Sequence, residues 1–177
     1  FSYLCKKRGI VGESWIVDIE LSGELDAEGV IFDFSYAKKS IKNVIDSEFD
    51  HKLVVPTHSP LKIMDTKNEQ TSVIYNDLSS RKLKYSAPSS AYCFLDSEEV
   101  TKEAAVLFLQ EKLKQVLPKN ISDINIRLHT ETIDGNFYHY THGLKKHYGN
   151  CQRMAHGHRS RIQIFENSER NFSLEQT

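Results

Sequence analysis

Two stretches of helical period lie among runs that alternate with a period of two, and their order limits the folds open to this chain. Trp15-Ile16-Val17-Asp18-Ile19-Glu20-Leu21 alternates over part of its length and predicts a strand ending at Ser22-Gly23. Past a turn at Asp26–Gly29, Ser35 offers an N-cap, and Ala37, Ile41, Val44, Ile45 and Phe49 follow at helical spacing. A second helix is expected to start at Ser97, where Glu98 and Glu99 suit the positive end of the helix dipole, and to be stopped by Pro118. It would carry Val100, Ala104, Leu107, Phe108, Leu113 and Val116. Phe1–Leu4 reads as the end of a strand, and Ile124–Leu128, Phe137–His142 and Arg159–Phe165 as further strands. Residues 52–95 hold three of the four prolines and read as a hairpin or loop excursion, while 167–177 present no clear element. The pattern of strand, strand, helix, helix, strand, then two more strands, is that of an α+β protein with an antiparallel sheet.

The chemistry concentrates near the end of that pattern. Six of the eight histidines fall between His129 and His158. Side chains at i and i+2 of a strand share a face, so His156 and His158 can present two imidazoles to one ion. A third histidine from a neighbouring strand would complete a catalytic zinc site with one open position, and His139, His142 and His147 all compete for that role. Cys151 stands close by. Residues 135–165 contain Lys145, Lys146, Arg153, Arg159 and Arg161 and no acid, a surround that suits an anionic substrate.

Composition narrows the function classes. The net charge of −1 argues against a general nucleic-acid binder, since basic residues cluster only locally. No apolar run approaches a membrane span. Three cysteines at irregular spacing make no disulfide framework and fit a reducing cytoplasm. The first residue is not Met and lies in an apolar stretch, so preceding chain is expected.

These segments resemble the family of 6-pyruvoyl-tetrahydropterin and 6-carboxytetrahydropterin synthases. There a first strand ending in histidine is followed by a cysteine and then by His-Gly-His, as His142, Cys151 and His156-Gly157-His158 are here. Gly29-Val30-Ile31-Phe32-Asp33-Phe34 resembles the family's Gly-Met-Val-x-Asp-Phe, Asp50-His51 its Asp-His pair, and Glu131-Thr132 its pterin-binding glutamate. The resemblance implies the T-fold: a ββααββ unit, an antiparallel sheet with two helices on one face, and oligomeric closure into barrels. The metal motif comes after the Asp-His and Glu motifs, where a single unit would put it first. A tandem duplication is therefore expected, with residues 1–133 as a first repeat and 134–177 as the start of a second whose remainder lies past Thr177. In the first repeat Cys5, Val11 and Glu13 stand where the metal histidines would be.

What the resemblance implies for chemistry is a zinc-dependent synthase acting on 7,8-dihydroneopterin triphosphate. His142, His156 and His158 would hold the zinc, Cys151 would serve as base, Asp50 and His51 would relay protons, and Glu131 would bind the pterin. The 6-carboxy product, on the route to queuosine, and the 6-pyruvoyl product remain equally open. The sites would form between T-fold units of a homo-oligomer. The competing expectation is a non-catalytic or repurposed T-fold module that binds zinc or a purine-like ligand.

Overall fold

A computed structural model describes residues 1–59, 61–66, 70–76, 82–142 and 156–176. The chain opens with a hairpin, β1 (Ser2–Cys5) and β2 (Gly9–Gly12), followed by β3 (Ile16–Gly23) and α1 (Phe34–Glu48). Strand β4 (Leu53–Pro56) leads to the meander β5 (Leu61–Thr66), β6 (Gln70–Asn76) and β7 (Lys82–Pro88), and then to β8 (Tyr92–Leu95). After α2 (Lys102–Lys114) come β9 (Ile121–His129), β10 (Phe137–His142), β11 (His156–Arg161), β12 (Phe165–Glu166), β13 (Glu169–Arg170) and the short α3 (Phe172–Glu175).

The alternating segments pair as their periodicity demands. Val17, Ile19 and Leu21 of β3 lie opposite Leu128, Ile126 and Ile124 of β9 in an antiparallel register. Their apolar faces meet Val44, Leu109 and Leu113 of the two helices, which pack on each other. Burying each such leucine contributes about 1.5–3 kcal/mol. A four-stranded sheet runs in the order β2-β1-β4-β8, antiparallel between β1 and β2 but parallel from β1 to β4 and from β4 to β8. Strand β4 is buried on both faces, which is why Leu53-Val54-Val55 reads as an unbroken apolar run. Val54 faces the helical core, whereas Leu53 and Val55 join Val73, Tyr75 and Tyr92 in a second core beneath the meander. The excursion expected over 52–95 is thus a second packed layer.

Helix starts differ from the sequence expectation. Asp33, not Ser35, caps α1 by accepting the Tyr36 N–H at 2.9 Å. Thr101, not Ser97, caps α2 through the Ala104 N–H at 3.2 Å. The Ser97 backbone is engaged at the strand end, donating to Leu95 O and accepting from His58 N, and so cannot begin a helix. α2 also ends at Lys114, before Pro118. The strand expected over Arg159–Phe165 is split: β11 keeps its pairing with β10, while β12 turns back on β13 through Asn167 and Ser168, both at positive φ. A two-residue turn with positive φ at both positions matches hairpin twist without any glycine to announce it.

Candidate functional site

Two glycines bring the site together. A Cβ on Gly12 of β2 would sit 1.8 Å from the Tyr140 carbonyl oxygen and 2.6 Å from the His158 nitrogen. One on Gly157 of β11 would sit 2.5 Å from the Gly12 Cα. Only because both positions lack side chains can the β10–β11 hairpin cross β2 backbone to backbone. His139 of β10 fastens the crossing, its Nδ1 lying 2.7 Å from Gly12 O. This crossing carries His156 and His158 to the C-terminal end of α1.

At that end the Asp50 N–H donates to Ile45 O at 2.7 Å, and His51 turns into the left-handed region with φ 58°. Asp50 accepts the His51 backbone N–H at 2.8 Å through Oδ1, while Oδ2 lies 3.2 Å from the ring Nδ1. The two neighbours therefore face each other instead of diverging. The His51 ring meets His156 edge-on at 4.7 Å between centroids, and His156 meets His158 at 4.3 Å. Potential ligand atoms of Asp50, His51 and His156 lie within 4.8 Å of one another. All four residues line a cavity of about 260 Å³, together with Glu13, Trp15 and Phe49.

Electrostatics favours a particular state of this cluster. Burial and the neighbouring His158 and His51 push the His156 imidazole below its usual range, against the pull of Asp50. Its imidazole is therefore neutral at pH 7, with a lone pair to donate. Burial pushes the Asp50 carboxyl up, while the His51 ring and backbone N–H pull it down. A carboxylate beside the neutral His156 imidazole and two further histidine rings is a donor set that fits a zinc-type ion.

The other expected residues fall as follows. Position 142 stands directly opposite His156 in the β10–β11 register, and Tyr140 opposite His158. His139 belongs to the alternate face of β10 and is tied to Gly12. Cys151 and His147 lie outside the described residues, as do Lys145, Lys146 and Arg153. Glu131 is exposed and does not line the cavity; its backbone oxygen accepts from the Arg159 guanidinium at 2.9 Å. Arg159 also lies over the Phe137 ring at 4.3 Å. Glu13, read from sequence only as a lost ligand, is a buried wall of the cavity. Its replacement of a histidine was the available signal. No helix among the described residues is long and apolar enough to cross a membrane.

Comparison with known proteins agrees with this architecture. Residues 5–141 match the family described as 6-pyruvoyl tetrahydropterin synthase. Two curated relatives, each named "Putative 6-carboxy-5,6,7,8-tetrahydropterin synthase", come from Pyrococcus horikoshii and Pyrococcus abyssi. Each is 27% identical over 126 residues, covering 71% of this chain and 71% of the relative. Among solved structures, a catalytic-residue mutant of Plasmodium vivax 6-pyruvoyltetrahydropterin synthase superposes with a TM-score of 0.52 at 16% identity, over 73% of this chain and 90% of that one. The Plasmodium falciparum protein gives 0.50 at 16% identity with the same coverage. These likenesses give the fold, an α+β T-fold, and the family match gives the membership: the chain belongs to the 6-pyruvoyl tetrahydropterin synthase family.

Proposed function

We propose that the protein is a metal-dependent, cytoplasmic tetrahydropterin synthase that converts 7,8-dihydroneopterin triphosphate to a 6-carboxy- or 6-pyruvoyl-tetrahydropterin. The observation carrying this reading is the meeting of Asp50-His51 with His156 and His158 around one cavity. The first pair comes from the N-terminal 133 residues and the second from beyond them, so the site is a composite of the two repeats inferred from the motif order.

His142, His156 and His158 would hold the zinc, with Asp50 and His51 close enough to share its surroundings. The ion, when bound, supplies Lewis acidity to the substrate's side-chain hydroxyls and so acidifies the neighbouring C–H groups. The proton work belongs to the chain. His51, whose Nδ1 lies 3.2 Å from Asp50 Oδ2, could take or return a proton at Nε2 with the carboxylate near enough to stabilise the imidazolium so formed. Cys151 is the candidate for the carbon-bound proton, because a thiol among cations and a metal is partly thiolate. Glu131, exposed within one chain, would reach a pterin only at an interface between T-fold units. The basic residues of 145–161 would meet the triphosphate.

The direct test incubates the full-length protein, loaded with zinc, with 7,8-dihydroneopterin triphosphate. Mass spectrometry should find triphosphate released together with a 6-substituted tetrahydropterin. Unchanged substrate would favour the alternative, a T-fold module that binds its ligand without turning it over.

A further inference from the structure

Side chains alternate across the β10–β11 hairpin, and its two faces are put to different uses. One face carries Tyr140, His158 and His156. On the other, His139 stands directly opposite Arg159. Both members of that pair tie the hairpin to the first 133 residues. His139 does so with Nδ1 at 2.7 Å from Gly12 O, and Arg159 with Nη2, which donates to Glu131 O at 2.9 Å. The second tie is held in direction as well as length, because the guanidinium lies over the Phe137 ring with Cζ 4.3 Å from its centroid.

Placed in this way, Arg159 has little to offer a phosphate. Its Nε is buried with no hydrogen-bond partner among the described residues, and its Nη2 is engaged by a carbonyl. Arg161, two positions along the same face, is exposed. What Arg159 holds is a segment without helix or strand. Residues 130–136 run from the end of β9 to the start of β10, and at their far end Asn136 O accepts the Ile162 N–H at 3.0 Å. At the near end the hold is Arg159, the next residue along β11 from His158 of the cavity wall.

We propose that Arg159 is a positioning residue, which sets where Glu131 stands relative to the metal-binding face of the hairpin and takes no part in holding the triphosphate. This rests on the pterin reading, in which Glu131 meets the ring and the histidines meet the metal, and it narrows that reading by removing one basic residue from the phosphate set. A substrate seated at both places spans a fixed length. A shift of the 131 backbone relative to His158 therefore misplaces one end when the other is bound, and about 1 Å of such misplacement is enough to cost on the order of a hundredfold in rate. Lysine cannot take over this task. A single rotatable ammonium neither lies flat on Phe137 nor carries the rigid fork that reaches the Glu131 carbonyl.

Calorimetric titration of the full-length, zinc-loaded protein tests it, with 6-methylpterin as the ring probe and inorganic triphosphate as the phosphate probe. Arg159→Lys keeps the charge and should nevertheless lower 6-methylpterin affinity about tenfold, the worth of one charge-assisted hydrogen bond. Zinc content and inorganic triphosphate affinity should stay within about twofold of the unmodified protein, which a folding defect would not allow. Arg159→Gln should give the same pattern. In a Glu131→Gln background neither change should lower ring affinity further, because two residues acting through one contact are not additive. If Arg159→Lys binds 6-methylpterin normally, or if Arg159→Gln weakens inorganic triphosphate and spares the ring probe, the inference is wrong while the pterin reading stands. Loss of zinc together with both probes would make Arg159 a structural residue only and would equally overturn it. If the unmodified protein neither binds 6-methylpterin nor turns over 7,8-dihydroneopterin triphosphate, the pterin reading fails and takes this inference with it.

Discussion

His51 holds its ring over the cavity from a backbone conformation that costs a non-glycine residue roughly 1–2 kcal/mol. The turn is needed there because α1 has ended and β4 must leave in a new direction. The same strain aims the imidazole at His156, which suits a residue kept for its side chain and not for local comfort. His156 and His139 then make a matched pair for assigning the metal. Both sit on the same hairpin, but His156 faces the Asp50-His51 cluster while His139 spends its Nδ1 on Gly12 O. Elemental analysis of purified full-length protein should find about one zinc per chain. His156→Ala should lose it and His139→Ala should retain it. Cys151→Ala should retain zinc while turnover falls by roughly 10²–10⁴-fold, the usual worth of a general base. Zinc at the wild-type level in His156→Ala would remove the assignment.

The crossing of β2 with the β10–β11 hairpin governs geometry at the scale of elements. Gly157→Ala would drive a methyl carbon to 2.4 Å from the Tyr140 oxygen and 2.5 Å from the Gly12 Cα, both backbone atoms that cannot rotate aside. Stability is expected to drop by about 3 kcal/mol, the upper range for overpacking, read as a lower urea midpoint at unchanged slope. The hairpin should move away from α1 and carry His156 off His51, so activity should fall further than stability alone explains. Gly29→Ala serves as the control. Its Cβ would meet nothing within 4 Å, leaving only the strain of φ 78°, about 1–2 kcal/mol. A Gly157→Ala protein as stable as the wild type would show that the crossing is not as tight as described. Helical period in 36–49 and alternation in 15–21 and 124–128 were legible because each follows from which side chains share a face. The caps were not, since Ser35 and Ser97 are as good a local match as Asp33 and Thr101, and neighbouring backbone decided among them.

For the whole molecule, β3 and β9 form a pair with no further strand beside it among the described residues. An apolar groove of about 620 Å³ opens between β3 and α1 along Ile31, Phe32, Phe34 and Ile41, and Phe34 is 79% exposed. Open edges and apolar grooves of this kind are covered in stable proteins. The family resemblance points to barrels closed by several T-fold units, so a homo-oligomer is expected. Sedimentation of the full-length protein should give a species larger than the monomer, and specific activity should decline as dilution dissociates it. A fully active monomer would overturn that expectation.

The amino-acid sequence by itself determined the α+β class, the two helices, the β3–β9 and β10–β11 strands, and the residue types able to hold a metal and move protons. Each of these is written in local periodicity or in motif chemistry, which a chain carries wherever it goes. Tertiary structure alone decided that β4 lies between parallel neighbours and that residues 52–95 build a second core. It also decided that Asp50 and His51 meet histidines more than a hundred positions away, and that Glu13 turns inward toward the cavity. These outcomes depend on which faces are buried against which, and on two glycines whose missing side chains let distant backbones touch. A linear pattern records that Gly12 and Gly157 are small, but not that they are neighbours.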